Sequence, residues 1–160
     1  MPRHRRSSCR KHTRRRLSAR RSAMRFESLE SRRVLATYFV DTTVDDLSGV
    51  CAADDPAGNN SCSIYAAIMA AEANPGADTI RIPAGTYVPD NSGGFDVEGP
   101  GDLTFVGDVA NPEAVVIDGI DSFRLFDMFS ADSSTLTIRF EGMTLRNGIA
   151  LDGSGGGAIN

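Results

Sequence analysis

The sequence predicts a mainly β fold: the first turns of a solenoid of short stacked strands, closed at its start by a short α-helix and preceded by a disordered basic leader. Three observations predict it. The cationic residues crowd into the first 35 positions, one alanine-rich segment carries helical periodicity, and short β-rich runs recur behind it with turn residues between them. At 160 residues the chain is long enough for one ordinary domain and its core, and two full domains are not expected.

The formal net charge of -4 conceals a sharp division. Positions 1–35 hold 13 of the 17 lysines and arginines and only Glu27 and Glu30, a net charge of +11, whereas the remainder sets four arginines against nineteen carboxylates, a net charge of -15. Arg5-Arg6, Arg14-Arg15-Arg16 and Arg20-Arg21 stand among Ser, Thr and Ala with almost nothing apolar to bury, which predicts a disordered tail over residues 1–25. Next comes a patterned stretch in which Phe26, Leu29 and Arg33 fall at near-helical spacing and Ala36 closes the run, the mark of a processing segment. The chain is therefore divided into a leader, 1–36, and a body, 37–160.

Arg-Phe-Glu-x-Leu-Glu-x-Arg-x-Val-Leu-Ala, carried here by Phe26, Glu27, Leu29, Glu30, Arg33, Leu35 and Ala36, resembles the N-terminal export signal of many secreted and surface proteins of planctomycete bacteria. The resemblance implies an extracellular or cell-surface location. It differs from an ordinary secretory signal, whose apolar stretch runs to roughly 7 to 15 residues. The alternatives are a solvated basic tail that holds nucleic acid without specificity, or a gene start extended upstream of Met24. No run approaches the roughly 18 apolar residues of a membrane span, so no transmembrane segment is expected.

Removal of the leader takes Cys9 with it and leaves Cys51 and Cys62. The segment between them is polar and rich in turn residues, so a bridge there is sterically easy and stabilises by roughly 2 to 3 kcal/mol. An oxidising compartment permits it; in the cytosol two free thiols are the better reading. Behind Cys62, Ser61 or Ser63 can cap a helix whose apolar stripe is Ile64, Ala67, Ile68 and Ala71, and Asn74-Pro75-Gly76 ends it. The stripe is narrow and mostly alanine, suited to close packing on the open end of a sheet.

Cys62-Ser63-Ile64-Tyr65-Ala66-Ala67-Ile68, followed by Asn74-Pro75-Gly76-Ala77-Asp78-Thr79-Ile80 and Pro83-Ala84-Gly85-Thr86-Tyr87, is similar to the Cys-Ser-Leu-Arg-Glu-Ala-Ile module that opens many bacterial surface proteins of the right-handed parallel β-helix, pectin-lyase-like type. Residues 38–46 fit its first strand. Ile64-Tyr65-Ala66 stand where that family has Leu-Arg-Glu, which removes a charge pair and keeps the apolar stripe. The resemblance implies a β-helix over 37–160 with the helix at 63–73 as its cap. β-Rich runs at 79–82, 103–106, 114–117, 123–126, 136–140 and 143–145 supply its strands, with Leu136, Ile138, Phe140, Met143 and Leu145 facing inward. An antiparallel sandwich is the alternative that this spacing also permits. Residues 151–160 read as the loop and incoming strand of a further turn, so the chain is expected to end within a repeat.

The body contains no histidine and no lysine, which excludes His-based triads, Lys Schiff bases and His-containing zinc sites there. Related β-helix lyases use carboxylates that hold calcium and an arginine or lysine as base; Asp127, Asp132, Arg139 and Arg146 are the residues that could supply such a set. Nothing clusters them in the sequence, and solvated turn carboxylates with outward arginines are the simpler reading. Asp45-Asp46 and Asp54-Asp55 follow no calcium-loop pattern, and Gly153 to Gly157 lacks the Lys-Ser/Thr of a phosphate loop. No catalytic residue, metal site or cofactor is assigned. The expectation is a non-enzymatic exported module with a structural, adhesive or carbohydrate-contacting role toward extracellular polysaccharide or cell-envelope components, without a specific nucleic-acid partner. The alternative is a fragment of a calcium-dependent polysaccharide lyase or hydrolase whose active site lies on further turns.

Overall fold

The computed structural model describes residues 35–58, 61–74, 76–90, 93–99, 101–129, 136–150 and 159. The leader up to residue 34, with its expected disorder, lies outside them. The described residues form nine short strands and one α-helix: β1 (Thr37–Phe39), α1 (Ile64–Glu72), β2 (Asp78–Arg81), β3 (Gly85–Tyr87), β4 (Phe95–Val97), β5 (Leu103–Val106), β6 (Val115–Asp118), β7 (Phe126–Met128), β8 (Ile138–Glu141) and β9 (Thr144–Arg146). The fold is mainly β. One sheet has the order β1-β2-β5-β8, a second β3-β6-β9 and a third β4-β7. All the strand pairings are parallel, so the described strands do not form the antiparallel sandwich.

From β2 onward the chain visits the three sheets in a fixed cyclic order, and each strand lies beside its equivalent from the preceding circuit. Ile159 continues the order by bridging in parallel to Phe126 of the third sheet. Parallel pairing in register places like positions over one another. Because side chains alternate along a strand, one set in each strand must point inward, and the inward sets stack into columns. Tyr38, Ile80, Phe105 and Phe140 form one column, and Tyr87, Ile117 and Leu145 another. Phe95 and Phe126 begin a third. The core lies where the columns meet. Phe126 has its ring centroid 5.4 Å from Phe95, 5.2 Å from Phe105 and 4.8 Å from Phe140, while Phe105 and Phe140 stack at 5.0 Å. Such aromatic contacts add about 0.5–1.5 kcal/mol each to the burial of the rings themselves.

Turn chemistry explains where the strands start. Gly94, just before β4, has φ +82°, and a Cβ there would approach the Arg124 carbonyl oxygen to 2.6 Å. Ile120 and Asp121 also adopt left-handed backbone, at φ 47° and 53°. They close a turn after β6 that displaces the expected strand at 123–126 to Phe126–Met128. Strands β3 and β4 were not expected as separate strands, because three residues containing Gly or Asp are too few for alternation to register.

Helix α1 is capped by Ser63, whose Oγ accepts the Ala66 N–H at 3.1 Å and donates to the Asp46 carbonyl at 3.0 Å. Ile64, Ala66, Ala67, Ile68 and Ala71 are buried, and the helix packs on β1, β2 and β4. Strand β1 is an edge, and the open edge of a ladder invites a foreign strand. The loop that follows β1 occupies that edge. Asp54 N–H donates to the Thr37 carbonyl at 2.7 Å, and Asp54 Oδ1 accepts the Thr37 N–H at 3.1 Å. Further along, Asp41 N–H donates to the Cys62 carbonyl at 3.0 Å, and Cys62 N–H donates to Asp41 Oδ1 at 2.8 Å.

Phe126, fully buried among three other rings, is the residue on which the core converges. The Phe126→Ala variant is expected to lose about 3–5 kcal/mol in chemical denaturation, whereas Val109→Ala, at a side chain 68% exposed, stays within about 0.5 kcal/mol of the parent.

Candidate functional site

The export-signal residues Phe26, Glu27, Leu29, Glu30 and Arg33 lie outside the described residues. Leu35 is 71% exposed, and Ala36 is buried, its carbonyl already accepting the Thr79 N–H at 2.9 Å. Cys51 and Cys62 are joined by a disulfide with their Cα atoms 4.7 Å apart. The bridge closes the loop that covers the β1 edge.

The four arginines of the body take four different surroundings. Arg124 is buried and its Nη1 donates to Asp127 Oδ2 at 2.8 Å. Arg146 donates from Nε and Nη2 to Asp118 Oδ2 at 2.9 and 2.8 Å. Arg139 pairs with Glu141 at 3.3 Å in an exposed contact, which contributes little in water. Arg81 is exposed and makes no ion pair among the described residues. Asp127 belongs to β7, Arg139 to β8 and Arg146 to β9, which places the three in different sheets. Among the described residues they do not form the set that a lyase requires; Asp132 lies outside those residues.

Four other carboxylates accept hydrogen bonds, mostly from backbone N–H groups. Asp46 Oδ1 accepts from the Ser48 N–H and hydroxyl, Asp54 from Thr37, Asp55 from the Ala57 N–H and Asp45 from the Asp90 N–H. Among the described residues no three Asp, Glu, His or Cys side chains converge as metal ligands. Burial raises the carboxyl of Glu72 above the usual range, and the Glu98 and Asp96 charges raise it further. Burial likewise raises Asp96, with a further contribution from Asp127, its neighbour in register on the outer face of the third sheet. Asp118 is shifted the other way. The Ile120 N–H, the Asn147 amide and Arg146 all donate to it and hold its carboxyl below the usual range.

The surface with the most to offer a ligand is the outer face of the β1-β2-β5-β8 sheet. Register aligns Thr37, Thr79, Thr104 and Arg139 in one outward row and Phe39, Arg81, Val106 and Glu141 in the next. At the C-terminal ends of these strands an open cleft of about 430 Å³ is lined by Phe39, Asp41, Pro56, Arg81, Pro83 and Val106, among others. It offers an aromatic face, a cation without an ion-pair partner among the described residues and two proline walls. Alternation within 79–82 already marks Arg81 as outward; the alignment of Phe39 with it is a matter of register across 42 residues and has no local signal.

A carboxyl held below its ordinary value stabilises the fold above the unfolded-state pKa near 4, and that stabilisation disappears as pH falls through the lower folded value. Asp118→Asn is therefore expected to lower the denaturation midpoint at pH 7, with the gap from the parent closing below about pH 4. A constant gap across that range contradicts the assignment. No known protein family, no curated protein and no solved structure matches the chain.

Proposed function

We propose that residues 37–160 are the cap and first turns of a right-handed parallel β-helix, exported behind the leader at 1–36 and acting without catalysis as a structural or adhesive module that contacts extracellular polysaccharide or cell-envelope components. The cyclic order of three parallel sheets and a helix packed against the first strands support the architecture. The Cys51–Cys62 bridge supports an oxidising compartment.

The observation that carries the binding role is the outer face of the first sheet. Its strands repeat at about 4.8 Å, and that regular ladder suits an extended polymer. Phe39 offers a ring for stacking against a sugar, the threonine row offers hydroxyls, and Arg81 supplies a charge for a carboxylate or sulfate. The lyase reading has less support, because Asp127, Arg139 and Arg146 lie in separate sheets.

Affinity electrophoresis of the full chain in gels containing neutral or uronate-bearing polysaccharide tests this. Retardation by the acidic polymer is expected, weakened at least about tenfold by Arg81→Ala or Phe39→Ala. Ultraviolet absorbance is expected to show no unsaturated product when calcium is added. Unretarded migration of the parent chain, or steady product formation, contradicts the proposal.

A further inference from the structure

One inward column begins with a charge. Asp78 occupies the position that Leu103 and Ile138 fill in the next two strands, and it is 4% exposed. Its Oδ1 accepts the Ala36 N–H at 2.8 Å, and the Asn74 amide lies 3.2 and 3.3 Å from its two oxygens. Those are neutral donors, and among the described residues no cation pairs with it. A carboxylate removed from water in this way normally has a countercharge. The surroundings add to the negative potential. Asn74 follows the C-terminal end of α1, where helix carbonyls carry partial negative charge, and the last turn of α1 has no basic residue. The Tyr38 phenol, held by the Ala70 carbonyl at 3.0 Å, is raised by burial and then by the Asp78 and Asp54 charges.

A countercharge is available from one bond. The chain passes from solvent to interior between Leu35, 71% exposed, and Ala36, 4% exposed, and the nitrogen of that peptide bond is the atom Asp78 already holds. We propose that Asp78 is the receptor for a mature N-terminus produced by hydrolysis of the Leu35–Ala36 bond. An endopeptidase adds water across the bond: hydroxyl goes to the Leu35 carbonyl carbon, and the C–N bond breaks with its electron pair left on the Ala36 nitrogen. That nitrogen takes the water's other proton, and the new acid's proton follows it, leaving a Leu35 carboxylate and an Ala36 ammonium. Cleavage precedes folding or uses an opened first strand, and the ammonium then docks where the N–H now sits. This sets the boundary one residue earlier than the leader at 1–36, because removal of Ala36 with the leader would discard the atom that Asp78 binds.

The proposal takes from the export reading only that the leader is removed. The test uses the full chain with residues 32–35 replaced by an endoprotease recognition sequence that leaves Ala36 first. The body contains no lysine, so once the cleaved leader with its Met1 and Lys11 amines has been separated, an amine-acylating reagent reads the Ala36 amine alone. Labelling in native buffer is expected to be at least about tenfold slower than in denaturant, with a half-point above the ordinary α-amine value of about 7.7–8.0. In the Asp78→Asn chain the native rate is expected to approach the denatured one. Should that variant fail to fold, the pH profile of the cleaved parent decides. Equal native and denatured rates, or an ordinary half-point, overturn the proposal. So does recovery from producing cells of a natural chain that does not begin at Ala36. Whether that chain is found in cells or in medium bears separately on the export reading.

Discussion

In-register parallel pairing of short strands decides which side chains of this chain are core and which are surface. Once Tyr38, Ile80, Phe105 and Phe140 lie over one another, the side chains between them must face out, and both the core and the outer rows follow. Strands of three or four residues cannot be stable singly. They hold because each inward side chain is buried by its equivalents in the circuits before and after it, as the cluster of Phe95, Phe105, Phe126 and Phe140 illustrates.

A ladder of this kind needs its first edge covered. Helix α1 was the expected cover, and it does pack on β1, β2 and β4. The hydrogen-bonding edge of β1 itself is met by Asp54, with Asp41 and Cys62 tying the chain just beyond it, all within or beside the segment closed by the disulfide. Apolar packing and edge satisfaction are thus divided between a helix and a bridged loop. The bridge contributes roughly 2 to 3 kcal/mol by the loop-closure argument, and it holds Asp54 and Cys62 in one short segment.

The parts of the fold legible in the sequence are those with local signals. The helix, with Ser61 or Ser63 as its cap, and the runs around residues 80, 105, 116 and 139 are legible from periodicity and from capping and turn chemistry; the run at 103–106 coincides with β5, and the other bounds differ by one or two residues. Strands β3 and β4 escaped because Gly85 and Asp96 interrupt runs that are already short. The strand expected at 123–126 began later because Ile120 and Asp121 adopt left-handed backbone, which side-chain pattern does not report. The candidate site was less legible. Asp78 shares the parity of Ile80 and Ile82, which marks it as inward, yet its partner Ala36 lies 42 residues away. The acidic and basic residues singled out for lyase chemistry could be judged only once the topology had assigned Asp127, Arg139 and Arg146 to three different sheets.

The charge pattern of the body follows from the same geometry. Outward positions tolerate carboxylates in neighbouring strands, as at Asp96 and Asp127, and the inward position of Asp78 is the exception that demands a partner. Backbone cross-strand nuclear Overhauser contacts report the parallel register of these strands without an intermediary. Amide-to-Hα contacts linking Ile80 with Phe105 and Phe105 with Phe140, without close Hα–Hα pairs, are the result it predicts. Close Hα–Hα contacts between those strands, the mark of antiparallel pairing, would contradict it.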